Sequence, residues 1–501
     1  PVPEPAEPDE FDVPLLAITS GEVTPSDLMD GSNNFPVVIY QHGITTDRSA
    51  ALTFGTQLVD SVKQNFGQEL VVVAIDQPLH GVAPASTEDR LELAGQLLAG
   101  AEASEGLPED TLNTGTNRTA IVEGDQQTLQ ASGLPPATAA GFISTNSRAG
   151  STIPGLAPTF MDSGVNSEGP TERHFGFSAN AQNQPAPMNF SEAEAFGSSG
   201  SLFINLQNFL NGRDNLRQGA LDIMNLRATL NSLDGINSDA VYLVGHSLGT
   251  QTGGVAAGAI QASGRADLQL AGTHLITPVA GITRLLENSP SFAPEILGGL
   301  AAPPSQGGAG LTQGDANLET FFRVTQHAQD SADPINFAPE LAAGNTLLSQ
   351  VNGDRTTPNA ADPRFGANIQ GIPGYDGGPL NVTLPNGLSI QAPADPLVGS
   401  EALAKLMGAQ NTGTAGKDIT STPLMTRYLV GIHGTPVLPL EEVAEPGDIL
   451  KNRQVAQQET VVTTGPEAQG VFGELVTQTI QLILSPQNIQ GGTRAPVVQP
   501  D

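Results

Sequence analysis

Short runs of consecutive apolar residues recur along the chain. Between them lie stretches whose apolar residues return every three or four positions. The uninterrupted runs fall at 36–40 (PVVIY), 70–75 (LVVVAI) and 240–244 (AVYLV), and further strands are read at about 268–276, at 346–351 (TLLSQV) and at 427–432. Such runs predict strands covered on both faces, as in a parallel sheet lined by helices. Helical spacing predicts helices near 48–65, from Arg213 to a stop at Asp234-Gly235, at 248–263, over 315–345 with a break at Asp333-Pro334, and at 400–408. A last amphipathic helix is predicted over 470–485, with Val471, Phe472, Leu475, Ile480, Leu482 and Ile483 toward the core. Strands alternating with helices imply one α/β domain with a mainly parallel central sheet.

Two segments break this rhythm. Residues 82–200 are rich in Gly, Ala, Ser, Asn and Pro and show one helical stretch, near 87–103. We read them as a large lid insertion over the carboxyl edge of the sheet. Phe175, Phe177 and Phe190, with Phe203 just beyond, argue against a disordered tract. A second insertion is expected over 359–395. It contains a hairpin turning at Asn386-Gly387, with Leu380, Val382 and Leu384 before the turn and Leu388 and Ile390 after it. The organisation expected is a Pro-rich acidic tail at 1–14, a catalytic domain at 15–490 carrying both insertions, and a C-terminal tail at 491–501.

Composition narrows the chemistry. The 501 residues hold 20 Lys+Arg against 52 Asp+Glu, a net charge of −32. Only Lys63, Lys405, Lys417 and Lys451 are lysines. No basic patch is available to displace counterions from phosphates, which excludes nucleic acid as a partner. Cysteine is absent, and with it disulfides, thiolate metal sites and a thiol nucleophile. No stretch reaches the ~18 apolar residues of a membrane span. The chain opens on Pro1 without a signal pattern, as expected of a mature or trimmed chain. Its acidity fits a secreted or cell-surface protein, either in salty water or as an ordinary acidic extracellular protein. Glu105 with Glu109 and Asp110, or Asp354 with Asp362, could hold calcium. No D-x-D-x-D-G loop accompanies them, so neither a metal nor another cofactor is expected.

The chemistry gathers where the run 240–244 meets Gly245-His246-Ser247-Leu248-Gly249. A G-x-S-x-G match means little in a chain with 57 glycines. Between a buried strand and a small-residue helix it predicts a strained turn that lifts the Ser247 hydroxyl above the sheet. The Leu248 N–H would then face a developing oxyanion from a helix N-terminus. A hydroxyl nucleophile needs a base, itself oriented by an acid. Three histidines follow Ser247. His274 falls inside a strand and His327 inside a helix, whereas His433 sits just past a strand in Gly431-Ile432-His433-Gly434. Asp354, directly after the strand 346–351, is taken ahead of Asp333, which reads as the cap of a helix starting at Pro334. The second oxyanion donor is expected on Ile44, in Gln41-His42-Gly43-Ile44, with His42 holding that loop. His246 is expected to pack beside the site, and Asp76 and His80-Gly81 to shape loops.

Tyr40-Gln41-His42-Gly43, Asp76-Gln77-Pro78-Leu79-His80-Gly81 and GHSLG at 245–249 resemble α/β-hydrolase lipases and esterases. Glu172-Arg173-His174-Phe175-Gly176, Arg213-Asp214-Asn215-Leu216-Arg217-Gln218, Asp333-Pro334-Ile335-Asn336 and Gly353-Asp354 resemble, more narrowly, the bacterial extracellular lipases typified by a Vibrio surface lysophospholipase. That family is in turn similar to marine polyester-degrading esterases. The resemblance covers roughly 15–440. It implies an α/β-hydrolase fold with lid insertions, Ser247 as nucleophile, His433 as base and Asp354 as acid. It also implies a lipid-like or polymeric ester as substrate; peripheral contact with lipid surfaces is expected, and an obligate protein partner is not.

Overall fold

In the computed structural model the apolar runs join one eight-stranded sheet. The structure describes residues 13–499 apart from 152, 154, 157–171, 181–183, 190–196, 206–207, 307, 353, 365–377, 384–386, 388, 414–415, 440–462 and 492–496. The strands are β1 (Leu15–Ile18), β2 (Phe35–Gln41), β3 (Val71–Ile75), β4 (Ile236–His246), β5 (Gly272–Ile276), β6 (Thr346–Val351), β7 (Gln410–Asn411) and β8 (Leu424–Tyr428). Their order is β1-β3-β2-β4-β5-β6-β8-β7. Only β1 runs antiparallel to its neighbour. The carboxyl ends of β2, β4, β5, β6 and β8 therefore share one edge.

The accompanying helices are α1 (Ala51–Phe66), α2 (Phe209–Leu230), α3 (Leu248–Ser263), α4 (Ile282–Asn288), α5 (Ala293–Ala301), α6 (Ala316–Gln329), α7 (Ala338–Ala343), α8 (Gly399–Met407) and α9 (Gly465–Leu484). Pleat alternation assigns the sheet faces. Val38, Tyr40, Tyr242 and Val244 pack with Phe54 and Leu58 of α1 and Val471, Phe472 and Leu475 of α9. Phe54 packs between Tyr40, tilted at 5.9 Å, and Phe472, edge-to-face at 6.0 Å. Leu243 points the opposite way, toward α3, where a Cβ on Gly253 would lie 3.2 Å from it. The small residues of α3 thus let the helix approach the central strands closely.

The boundaries depart from the sequence reading in informative ways. Helix α9 begins at Gly465, five residues early, because Thr464 and Glu467 form a capping box. Strand β8 spans Leu424–Tyr428 rather than 427–432. β1, β7, α4 and α5 were not predicted at all; the two strands are short and the two helices have only seven and nine residues. The hairpin pairs Ser389 with Thr383 and Gln391 with Asn381. Its turn residues Leu384, Asn386 and Leu388 lie outside the described residues. The expected tail after 491 is not wholly detached. Val497 and Val498 are buried, and the Leu429 N–H and the Arg427 carbonyl pair with Val497 and Gln499. The expected tail at 1–14 lies outside the described residues except for 13 and 14.

Residues Leu79–Phe203 form a second compact unit. Four helices span Thr87–Glu105, Gly115–Glu123, Gln126–Ala131 and Pro136–Asn146, where the sequence predicted one. They enclose their own core of Ala94, Leu98, Leu112, Ile121, Leu129, Leu134 and Ala139. Three of these helices are too short or too evenly polar to show a stripe. Ser86 with Asp89, Thr114 and Asp125 start helices, and Gly106 and Gly124 end them in left-handed conformation. Phe203 is buried, whereas Phe175 and Phe177 are exposed and contribute no core; Phe190 lies outside the described residues. Among the described residues no helix is long and apolar enough to cross a membrane.

Candidate functional site

The turn from β4 into α3 holds Ser247 at φ 54° and ψ −121°, a region that L-residues avoid. The glycines around it permit this. A Cβ on Gly245 would lie 2.5 Å from the Gly249 carbonyl, and one on Gly249 would lie 2.1 Å from the Gln41 carbonyl. The Ser247 N–H donates to the Ile276 carbonyl at 3.1 Å. Its own carbonyl accepts from Thr250 N–H at 2.8 Å and Thr250 Oγ1 at 2.6 Å. These bonds hold a backbone conformation that costs about 1–3 kcal/mol in isolation. Leu248 is the first residue of α3, at the N-terminal turn.

Beside Ser247 runs the loop after β2. A Cβ on Gly43 would lie 3.1 Å from Ser247 Cβ and 3.5 Å from its Oγ. Ile44 follows on this loop, and Thr45 has φ 62°. His42 is the loop's fastener. Its Nε2 accepts from Gln77 N–H at 3.0 Å, so the proton sits on Nδ1, which donates to the Gly43 carbonyl at 2.7 Å. Thr46 Oγ1 donates to the same carbonyl at 2.9 Å. Asp76 accepts from the Arg48 backbone N–H at 2.7 Å and pairs with the Arg48 guanidinium, fixing the far side of the loop.

Two strands along the same edge, the loop after β6 carries Asp354. Its Oδ1 accepts from Thr356 N–H and Thr357 N–H, each at 2.8 Å. Its Oδ2 accepts from Thr357 Oγ1 at 3.0 Å and from His433 Nδ1 at 2.8 Å. A carboxylate only accepts, so Nδ1 carries the proton and Nε2 of the neutral ring keeps its lone pair. The Asp354 side chain is fully buried, while 18% of the His433 side chain is exposed. His433 itself follows a bend, with Gly431 at φ 101° and a Thr435–Ile432 turn.

Asp333 is placed elsewhere. It is completely buried and caps the short helix Pro334–Phe337. It accepts from the N–H groups of Gly281, Ile282 and Ile335 and from Gln326 Nε2, at 2.9–3.1 Å. Desolvation pushes its pKa up. His274 is a buried core residue between Thr479 and Ser349, held neutral with its pKa pushed down to about 3 by desolvation. His327 lies on α6 with its side chain almost wholly exposed.

The segments beyond the site are structural. Glu172 accepts from Val82 N–H at 2.7 Å, and His174 Nε2 lies 3.1 Å from the Val82 carbonyl, so ERHFG clasps the loop at 80–82. RDNLRQ lies on α2, where Arg213 pairs with Asp214 and Gln218 donates to Asp222. Asp362 is engaged by Arg364, which holds its carboxyl down to about 2. Sequence reasoning missed Thr357, which braces Asp354, and Thr277, at φ 52° between the serine and acid loops. Neither carries a spacing signal.

No family model matches the chain, and no curated protein matches it. Solved structures similar in part include an acetyl xylan esterase from Paenibacillus sp. R4, at 13% identity and TM-score 0.26, covering 65% of this chain and 61% of that one. A lipase in its open form matches at 13% identity and TM-score 0.21, over 64% of this chain and 73% of that one. Aspergillus niger EstA matches at 9% identity and TM-score 0.32, over 99% and 79%. This chain thus spans less than two thirds of the acetyl xylan esterase. At these TM-scores the likenesses carry no argument about function, and none of them supports the narrower resemblance to the family typified by the Vibrio surface lysophospholipase.

Proposed function

We propose that the protein is a serine carboxylic-ester hydrolase built on the α/β-hydrolase fold. Ser247 is the nucleophile, His433 the base and Asp354 the acid, and the N–H groups of Ile44 and Leu248 form the oxyanion hole. The observation that carries this reading is the 2.8 Å Asp354–His433 contact, on the sheet edge where Ser247 sits in a strained turn. Asp354 holds the His433 proton on Nδ1, leaving Nε2 to take a proton from Ser247 Oγ as it attacks the ester carbonyl. The new C–O bond forms as the carbonyl π electrons move to oxygen. Collapse of the tetrahedral species expels the alcohol, which takes the proton back from Nε2. Water, activated by the same nitrogen, then hydrolyses the acyl-enzyme.

The substrate is a lipid-like or aliphatic ester, with lysophospholipid or aliphatic polyester as the main alternatives. The motifs at 172–176 and 213–218 supported that choice by resemblance, but their residues serve the scaffold. We place the enzyme outside the cell or at its surface, with residues 82–200 acting as a lid. A fluorophosphonate should label wild type at Ser247 and fail on Ser247→Ala. Hydrolysis of p-nitrophenyl butyrate should vanish in that variant while its melting temperature is kept. Hydrolysis that survives Ser247→Ala refutes the assignment. A panel of short ester, long-chain triglyceride, lysophospholipid and aliphatic polyester then ranks the substrates.

A further inference from the structure

We infer that His246 is a positioning residue for His433, tying the loop of the base to the residue before the nucleophile. The inference rests on the function proposed above and extends it to a side chain at the motif's variable position. His246 Nε2 lies 2.8 Å from the His433 carbonyl oxygen. A carbonyl only accepts, so Nε2–H donates and the tautomer is fixed. The two rings lie 5.2 Å apart at 38°. On its other side, His246 Nδ1 is 3.6 Å from where a Cβ on Gly43 would be. The ring therefore bonds the loop of the base and faces the loop after β2, while its own backbone leads into Ser247.

The need for such a tie follows from where β8 ends. Its ladder stops at Tyr428, five residues before His433. Beyond it the chain is held by single bonds: Leu429 N–H to the Val497 carbonyl, Gly431 N–H to Thr463 Oγ1, and Ile432 N–H to Thr435 Oγ1. Asp354 and, at 3.3 Å, Thr357 Oγ1 hold His433 only through the side chain, both at Nδ1. Anchors that meet at one ring atom leave the ring free to pivot about it. The second anchor, on the backbone, is the one His246 supplies.

Charge suits the role. His246 is 5% exposed, and its pKa is pushed down to about 3 by desolvation first and repulsion from His433 second. The other groups that act on it are Asp354 and His42. A neutral donor can hold the carbonyl without adding a positive charge beside the imidazolium that forms on His433.

The test compares His246→Phe, which keeps a flat ring without the donor, with His246→Gln, whose Nε2 can reach the carbonyl. His246→Asn is too short to reach it and serves as a second donor-less variant should the Phe variant fail to fold. With p-nitrophenyl butyrate, the Phe and Asn variants should lose about 10–100-fold in kcat with KM little changed, and the Gln variant should recover most of the loss. Proton NMR gives a readout independent of turnover. The low-field His433 Nδ1 proton, bonded to Asp354, should broaden by solvent exchange in Phe and Asn and stay sharp in Gln. Two results overturn the inference: a donor-less variant with wild-type kcat and a sharp signal, or a Gln variant as impaired as Phe. Should wild type fail to react with fluorophosphonate, the esterase reading falls. The NMR comparison still decides whether His246 orders His433.

Discussion

Asp354→Asn separates the role of charge from that of shape. Oδ1 receives two backbone N–H donors, from Thr356 and Thr357, and must remain an oxygen. The amide nitrogen of the substituted side chain would therefore replace Oδ2 and face His433 Nδ1 as a donor. To accept, Nδ1 must lose its proton, which moves to Nε2, the atom meant to receive the proton of Ser247. The imidazolium formed on attack also loses its counter-charge. An equivalent substitution in a serine–histidine–aspartate triad costs about 10⁴-fold in kcat, or ~5 kcal/mol of transition-state stabilisation. Asp333→Asn supplies the contrast. Each Asp333 oxygen faces two donors. An amide nitrogen at either position leaves donors unpaired, so stability falls by about 1–3 kcal/mol. Activity per folded molecule should change less than about tenfold, because no reacting atom is touched. The assay is kcat/KM on p-nitrophenyl butyrate near pH 8, normalised to folded protein, beside urea unfolding of both variants. A larger activity loss in Asp333→Asn, or less than tenfold loss in Asp354→Asn, would refute the reasoning.

Three further outcomes are expected. Gly43→Ala places a methyl group 3.1 Å from Ser247 Cβ, so esterase activity should fall about 10²-fold with stability reduced by no more than about 1–3 kcal/mol; wild-type kcat/KM in that variant would contradict it. His246 and His274 are both held down to about 3 in the folded state. The unfolded chain binds protons they refuse, so stability should fall as pH drops through about 6.5 toward 3, by up to ~1.4 kcal/mol per pH unit for each. His274→Gln should lessen that slope in urea titrations between about pH 5 and pH 6.5; an unchanged slope counts against it. Finally, the net charge of −32 should slow hydrolysis on anionic vesicles relative to zwitterionic ones at low salt, the gap closing as the Debye length shrinks to about 8 Å at physiological ionic strength. Equal rates at low salt would remove that bias.

The sheet was legible because its strands are buried on both faces. Runs such as 70–75 and 346–351 mark β3 and β6 to within a residue, and the small-residue texture of 248–263 matches α3 residue for residue. What escaped is held together by partners distant in sequence or by caps. β1 gains its definition from pairing with β3, and the helices at 115–123 and 126–131 are set by Thr114 and Asp125 rather than by an apolar stripe. The last strand is read three residues late at its start and four late at its end because Leu429, Val430 and Ile432 look β-forming, while the N–H groups of Leu429 and Ile432 bond outside the ladder. At the site, residue type and position after a strand sufficed to name Asp354 and His433 as a pair for testing. The contact of Thr357 with His433 and the His246 tie depend on tertiary approach over separations of 76 and 187 residues, and no local pattern encodes them.

The outer side of β8 also bears on how copies of the chain meet in solution. Sheet edges are templates for pairing with another molecule. Here β7 covers only Leu424 and Met425, and residues 497–499 cover the stretch from Arg427 to Leu429 from the opposite direction. Among the described residues, the two patches leave no long run of open N–H and C=O groups on that side. Residues 497–499 thus act as a guard against intermolecular pairing as well as a piece of the core. A variant shortened before Val497 should keep the proposed hydrolytic site yet turn sticky, forming more concentration-dependent oligomers than the uncut chain at equal concentration.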